Sequence, residues 1–155
     1  MAKVRMICFD MDGTIADLYG VQGWLEDLRN ENTRPYEQAE PMWNMQELAK
    51  VLENLQNQGV EIRVITWLSK DSSEEYKEKT RQAKIEWLEK VGFPYDKFHG
   101  VAYGTTKANA IRKYLEQEGL AILIDDNAKV RQGWNMGNTI NPTTENIIDI
   151  LKALL

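Results

Sequence analysis

The chain has 155 residues, 43% of them hydrophobic and 28% charged, which fits one globular domain with room for a proper core. Its net charge of −5 argues against long polyanionic partners, which need clustered Lys and Arg, but not against a small anionic substrate held by local cations. A single cysteine, Cys8, excludes an internal disulfide; no apolar run is long enough to span a bilayer, and Met1-Ala2-Lys3 leads straight into a strand-like run, so a cytoplasmic location is expected.

Residues 4–9 (VRMICF) read as a buried strand that stops at two aspartates, Asp10 and Asp12, followed by Gly13-Thr14. Residues 17–41 then interrupt the pattern. A short amphipathic piece carrying Trp24, Leu25 and Leu28 precedes a polar, proline-punctuated return, read as a small helical insertion over the strand ends. Met45, Leu48, Leu52 and Leu55 recur at steps of three and four and predict a helix that stops at Gln58-Gly59. Residues 60–65 (VEIRVI), rich in β-branched side chains, predict a second strand. Residues 70–90 predict a mostly polar helix with Tyr76, Ile85, Trp87 and Leu88 on its buried side. Residues 98–103 are a weaker strand, 106–118 a helix, 120–124 (LAILI) a clear strand and 138–140 a short fifth. Residues 143–155 predict a last helix with Ile147, Ile150, Leu151 and Leu154 facing inward. Nothing reads as a repeat or linker, so residues 1–155 are expected to form a single domain with its insertion at 17–41.

Alternating strands and helices imply an α/β, doubly wound, parallel five-stranded sheet, and such sheets bind ligands beyond the carboxyl ends of their strands. The first strand delivers Asp10 and Asp12 there, and the second delivers Thr66, then Trp67, Leu68 and Ser69. The third leads through Gly104-Thr105-Thr106 to Lys107 at a helix opening, and the fourth delivers Asp125 and Asp126, then Asn127. Singly, each of these is ordinary turn or capping chemistry. Jointly, four carboxylates in one place are costly without a cation. Mg²⁺ answers that need with oxygen ligands and retained waters, and would draw a phosphate oxygen to the same point. Lys107 and Thr66 could hold the other phosphate oxygens, the set of parts that phosphoryl transfer uses. Among the tryptophans, Trp87 is expected in the core and Trp43 beneath the insertion, while Trp24 and Trp67 either pack the insertion down or stack on a base. His99 is expected in a core or surface role, and Arg131 and Trp134 are candidates for the border of the site.

The stretch DMDGT, Asp10 to Thr14, resembles the first motif of the haloacid dehalogenase-like (HAD) phosphatase superfamily, and Thr66, Lys107 and Asp125-Asp126 resemble its second, third and fourth motifs in order and spacing. The short insertion and the IDDN ending resemble the 5'(3')-deoxyribonucleotidase-like subgroup of phage and bacterial type. The chain departs from that subgroup after Thr66, where Trp67-Leu68-Ser69 replaces the usual Ser and Pro. The resemblance implies Asp10 as nucleophile and Asp12 as acid and base, and Thr66, Trp67 and Lys107 on the substrate side. It places Mg²⁺ on the Asp10 carboxylate, the Asp12 carbonyl and Asp126, with Asp125 behind the metal or paired with Lys107. The implied partner is a small phosphorylated substrate, a (deoxy)nucleoside monophosphate in the first instance. A polynucleotide end, a sugar phosphate, or a catalytically silent binding role are the alternatives. A receiver domain is disfavoured, because there the lysine follows the acceptor aspartate on the last strand. The small insertion leaves the site open, so a second copy in a homodimer or a large substrate could complete it.

Overall fold

The computed structural model describes residues 3–155. In chain order the elements begin with β1 (Met6–Phe9), β2 (Ala16–Asp17), α1 (Trp24–Arg29), α2 (Arg34–Gln38), β3 (Glu40–Pro41) and α3 (Met45–Asn57). They continue with β4 (Glu61–Trp67), α4 (Glu74–Val91), β5 (Lys97–Val101), α5 (Ala108–Ile111), β6 (Ala121–Ile124), α6 (Ala128–Gln132), β7 (Thr139–Ile140) and α7 (Ile147–Lys152). Five strands form one parallel sheet in the order β5-β4-β1-β6-β7, as the α/β reading expects. The chain moves outward from β1 through β4 to β5, then crosses back to lay β6 on the other side of β1. The order therefore reverses between β1 and β6, which opens a crevice at their carboxyl ends.

Period-two alternation sends the side chains of β1 to both faces. Ile7 and Phe9 join Ile62 and Val64 in a core closed by Leu48, Leu52 and Leu55 of α3, Trp87 and Leu88 of α4, and Leu151 of α7. Met6 and Cys8 join Ile65 and Leu123 in a second core closed by Ala108 and Ile111 of α5 and by Trp134 and Met136. Both faces are covered, which is why β1, β4 and β6 read as nearly continuous apolar runs. Burial pushes the Cys8 thiol up, so it is an inert core residue. His99 lies on β5 with its Nε2 3.1 Å from Arg63, a structural position.

Several boundaries differ from the sequence expectation. The helix expected over 106–118 is one turn of α5 followed by a 3-10 turn at Arg112–Tyr114, because beyond Ile111 only Leu115 offers an apolar anchor before Gly119. The last helix starts at Ile147 rather than 143, since Asn146 caps it by accepting from Ile148 N–H and Asp149 N–H. Its buried stripe is Ile147, Ile148 and Leu151, and Leu154 is exposed. The second strand runs two residues further than expected, to Trp67, so Thr66 belongs to the sheet. In residues 17–41 the polar return contains a second helix, α2, with Pro35 in its first turn, where its missing N–H is harmless. The antiparallel pair of β2 and β3 ties the two ends of that segment together.

Gly137 sits where a Cβ would lie 2.2 Å from the Ala121 carbonyl oxygen of β6. Gly137→Ala is expected to lower the unfolding free energy by about 2–3 kcal/mol in urea titrations. Gly92→Ala, at φ +77 with open space around it, is expected to lose only about 1 kcal/mol.

Candidate active site

Backbone pairing runs right up to the carboxylates. Asp10 N–H donates to the Ile124 carbonyl at 2.9 Å and Asp125 N–H to the Ile140 carbonyl at 3.3 Å, so both residues occupy the last rungs of the ladder. After Asp10 the chain turns tightly: the Met11 carbonyl accepts from the N–H groups of Thr14, Ile15 and Ala16 at 3.0–3.2 Å. Gly13 permits this turn at φ +79, and a Cβ there would lie 2.5 Å from Asp126 Oδ2. The glycine is needed so that the two acidic loops can approach each other.

The four carboxylates are gathered around two buried lysines. Lys107, at the opening of α5, donates to Asp10 Oδ1 at 2.9 Å and to Asp125 Oδ2 at 2.8 Å. Asp125 Oδ1 also accepts from Asn127 N–H at 2.9 Å, so both oxygens of Asp125 have protein donors. Lys84, from the middle of α4, donates to Asp12 Oδ2 at 2.9 Å, Thr66 Oγ1 at 2.7 Å and the Trp67 carbonyl at 3.1 Å. Thr14 links the strand ends, donating to Asp10 Oδ2 at 2.9 Å and accepting from Asp126 N–H at 3.2 Å. Arg131 braces the end of β6 by donating to the Asp125 carbonyl at 2.9 Å. Trp134 is a core residue whose Nε1 donates to the Ala121 carbonyl, so it does not border the site.

Proton affinities within the cluster are pushed apart. Burial alone would raise Asp10, but the Lys107 charge and hydrogen bonds from its neighbours outweigh it and hold the carboxyl below its ordinary value. Burial raises Asp12, and Lys84 only partly offsets it. Asp126 is pushed up to about 8 by burial and then by its closeness to Asp10. Burial and the Asp10 charge also raise Asp125, against Lys107. Burial would lower Lys107, but Asp10 and Asp125 raise it, so it remains an ammonium.

These groups form the floor of a cavity of about 610 Å³. Its walls come from the 17–41 segment and from the loops after β4 and β5. Tyr19 and Trp24 meet edge to face with ring centroids 4.9 Å apart on one wall. Trp67 and Tyr103 lie 4.9 Å apart on the other, and the Trp67 ring is 5.4 Å from Lys107 Nζ. Trp67 is fixed by donating from Nε1 to the Thr105 carbonyl at 3.0 Å. Trp43 and Trp87 lie outside the cavity, donating to the carbonyls of Thr14 and Ala39. Asp10, Asp12, Thr66, Trp67, Lys107, Asp125 and Asp126 thus converge on one space. The sequence reading did not single out Lys84. A signal existed, because Tyr76, Thr80, Lys84, Trp87 and Leu88 share one helical stripe and all are buried.

The donor set fits a hard divalent cation. One oxygen each from Asp10, Asp125 and Asp126 lie within 4.8 Å of one another. As ions, the four aspartates and two lysines sum to −2, the charge one such cation neutralises. Among the described residues no helix is long and apolar enough to cross a membrane.

No family model matches the chain, and no curated protein matches it. Solved structures do. A haloacid dehalogenase-like hydrolase from Streptococcus pneumoniae aligns over 100% of both chains, with 14% identity and a TM-score of 0.60. A D,D-heptose 1,7-bisphosphate phosphatase from Burkholderia thailandensis aligns over 86% of this chain and 74% of its own, with 14% identity and a TM-score of 0.50. A chain of the Pnkp1/Rnl/Hen1 RNA repair complex aligns over 90% of this chain, with 23% identity and a TM-score of 0.55; the present chain spans 42% of its length. At these identities the likeness establishes the fold, which is that of the haloacid dehalogenase-like hydrolases.

The raised Asp126 has a consequence for stability. Its folded value of about 8 exceeds the roughly 4 of an unfolded chain, so between those limits the native state holds a proton that the unfolded state releases. Its contribution to metal-free stability therefore falls as pH rises from about 4 to about 8. His99, lowered by burial and then by Arg63, works in the opposite direction near its own titration. The comparison that isolates Asp126 is with Asp126→Asn in EDTA: from pH 5 to pH 8 the variant should gain thermal midpoint relative to wild type. A constant difference across that window contradicts the assignment.

Proposed function

We propose that this chain is a Mg²⁺-dependent phosphomonoester hydrolase of the haloacid dehalogenase-like type, a single domain in which residues 17–41 serve as a small cap. The carrying observation is the separation of Asp10 and Asp12 onto different lysines with opposite shifts in proton affinity. Two carboxylates driven apart in this way divide the work of nucleophile and proton carrier.

In the reaction, an Asp10 oxygen attacks phosphorus and forms an aspartyl-phosphate as the bond to the leaving oxygen breaks. Asp12, whose proton affinity burial raises, gives a proton to that oxygen. Asp12 then takes a proton from water; the water oxygen bonds to phosphorus, the bond to Asp10 breaks, and inorganic phosphate leaves. Lys107 holds Asp10 in place and offsets charge on the phosphoryl group, and the Thr66 hydroxyl binds one of its oxygens. The metal would be held by Asp10, the Asp12 carbonyl and Asp126, and when bound it supplies charge neutralisation for the phosphoryl oxygens. Both oxygens of Asp125 are already engaged by Lys107 and Asn127 N–H, which supports Asp126 as the direct ligand.

The aromatic walls support a nucleoside monophosphate as substrate, since a base can stack on Trp67 or Trp24 while its phosphate reaches the cluster. A polynucleotide end is the second reading, favoured by the likeness to a chain of an RNA repair complex and opposed by the net charge of −5. Release of phosphate from p-nitrophenyl phosphate is expected with Mg²⁺, to stop in EDTA, and to fall at least about 10³-fold in Asp10→Asn. Turnover that ignores EDTA or survives Asp10→Asn overturns the mechanism. A panel of 5'- and 3'-nucleotides, oligonucleotide 3'-phosphates and sugar phosphates is expected to favour mononucleotides; preference for sugar phosphates would overturn the nucleotide assignment alone.

A further inference from the structure

We infer that Lys84 is a positioning residue that sets Asp12 and Thr66 as one unit, an inference that rests on the phosphatase reading above. Lys84 comes from α4, remote in sequence from every strand-end group, and its side chain is 0% exposed. An ammonium has three N–H donors and no acceptor. Here each donor has its own partner: Asp12 Oδ2, Thr66 Oγ1 and the Trp67 carbonyl, at 2.7–3.1 Å. Three fixed partners leave the group no rotational choice.

Two consequences follow for the chemistry. The Thr66 hydroxyl must accept from Lys84, so its own proton is available to an anion in the cavity. Asp12 is held through one oxygen, and among the described residues no other side chain or backbone N–H donates to its carboxylate, which leaves Oδ1 for the leaving group and then for water. The Tyr36 ring, 5.1 Å from Nζ, packs this arrangement from the 17–41 segment. Stability is a weak reason for such a group, because a buried ion pair gains little over an apolar replacement of similar size. Orientation of the acid is the stronger reason.

The test separates the two aspects by leaving group. p-Nitrophenolate departs with little protonation, whereas an alkoxide needs a correctly placed acid. Any effect through Thr66 acts on the phosphoryl group, and the later attack of water is the same for both substrates, so the ratio of kcat/KM values, which extends only to departure of the leaving group, reads Asp12 as the acid. With Mg²⁺ present, Lys84→Met is expected to lose about 10²-fold on an alkyl phosphate that the wild type hydrolyses, and less than about tenfold on p-nitrophenyl phosphate. Lys84→Arg keeps the charge but offers a planar fork in place of three tetrahedral donors, and should show the same selective loss if Lys84→Met does not fold. Equal losses on both substrates in the folded variant, or no loss, overturn the proposal while the phosphatase reading stands. A wild-type chain that releases phosphate from neither substrate overturns both.

Discussion

The rest of the molecule is arranged around a concentration of negative charge that the sheet itself creates. β1 and β6 are adjacent and parallel, and each ends in acidic residues, so their last rungs bring Asp10 and Asp125 together with no freedom to separate. Carboxylates this close cannot all ionise unless cations are near. The chain supplies two, from opposite sides of the sheet: Lys84 from the helix over the Ile7 and Phe9 face, and Lys107 from the helix over the Met6 and Cys8 face. Two ammonium groups are not enough for four aspartates. The shortfall shows at Asp126, whose proton is retained up to about pH 8. A site that must hold a proton there in the absence of metal is one that a divalent cation can enter by displacing it.

Placing the lysines on separate helices also divides the cluster. Asp10, Lys107 and Asp125 form one unit, and Asp12, Lys84 and Thr66 form another. Asp10 and Asp12 are two residues apart and both buried, yet one is driven toward the anion and the other toward the acid. Distance in sequence is no guide to this difference; the lysine that each carboxylate meets, and the burial it does not overcome, decide it. In the proposed reaction that asymmetry lets one loop present a nucleophile and a proton donor at once.

Much of this is legible in the sequence. Apolar runs that end abruptly in acid, such as CFD and LID, announce strands whose carboxyl ends matter, and the order of Asp10, Thr66, Lys107 and Asp125-Asp126 along the chain placed them on one edge. Lys84 was hidden because its helix was read through its apolar residues, and a lysine among so many charges looks solvated. Its position between Thr80 and Leu88 on the buried stripe was the available clue. α2 is hard to see because its stretch is polar and carries Pro35, which in a first turn begins a helix. The overlong helix at 106–118 has a different cause: polar residues with helical spacing continue the pattern, but a helix without an apolar face to bury has little to hold it.

In the proposed reaction the chemistry and the choice of substrate fall to different parts of the fold. The floor of the cavity belongs to the sheet, where backbone ladders fix Asp10 and Asp125 and the turns that follow them carry Asp12 and Asp126. The walls belong to the 17–41 segment, tied down at its base by the short β2–β3 pair, and to the loops after β4 and β5. Changes to Tyr19, Trp24 or Tyr103 can reshape the walls without touching a ladder bond. Lys84 is where the two parts meet, since its ammonium holds floor groups while Tyr36 of the segment packs against it. Packing of the segment is thereby coupled to the placement of Asp12.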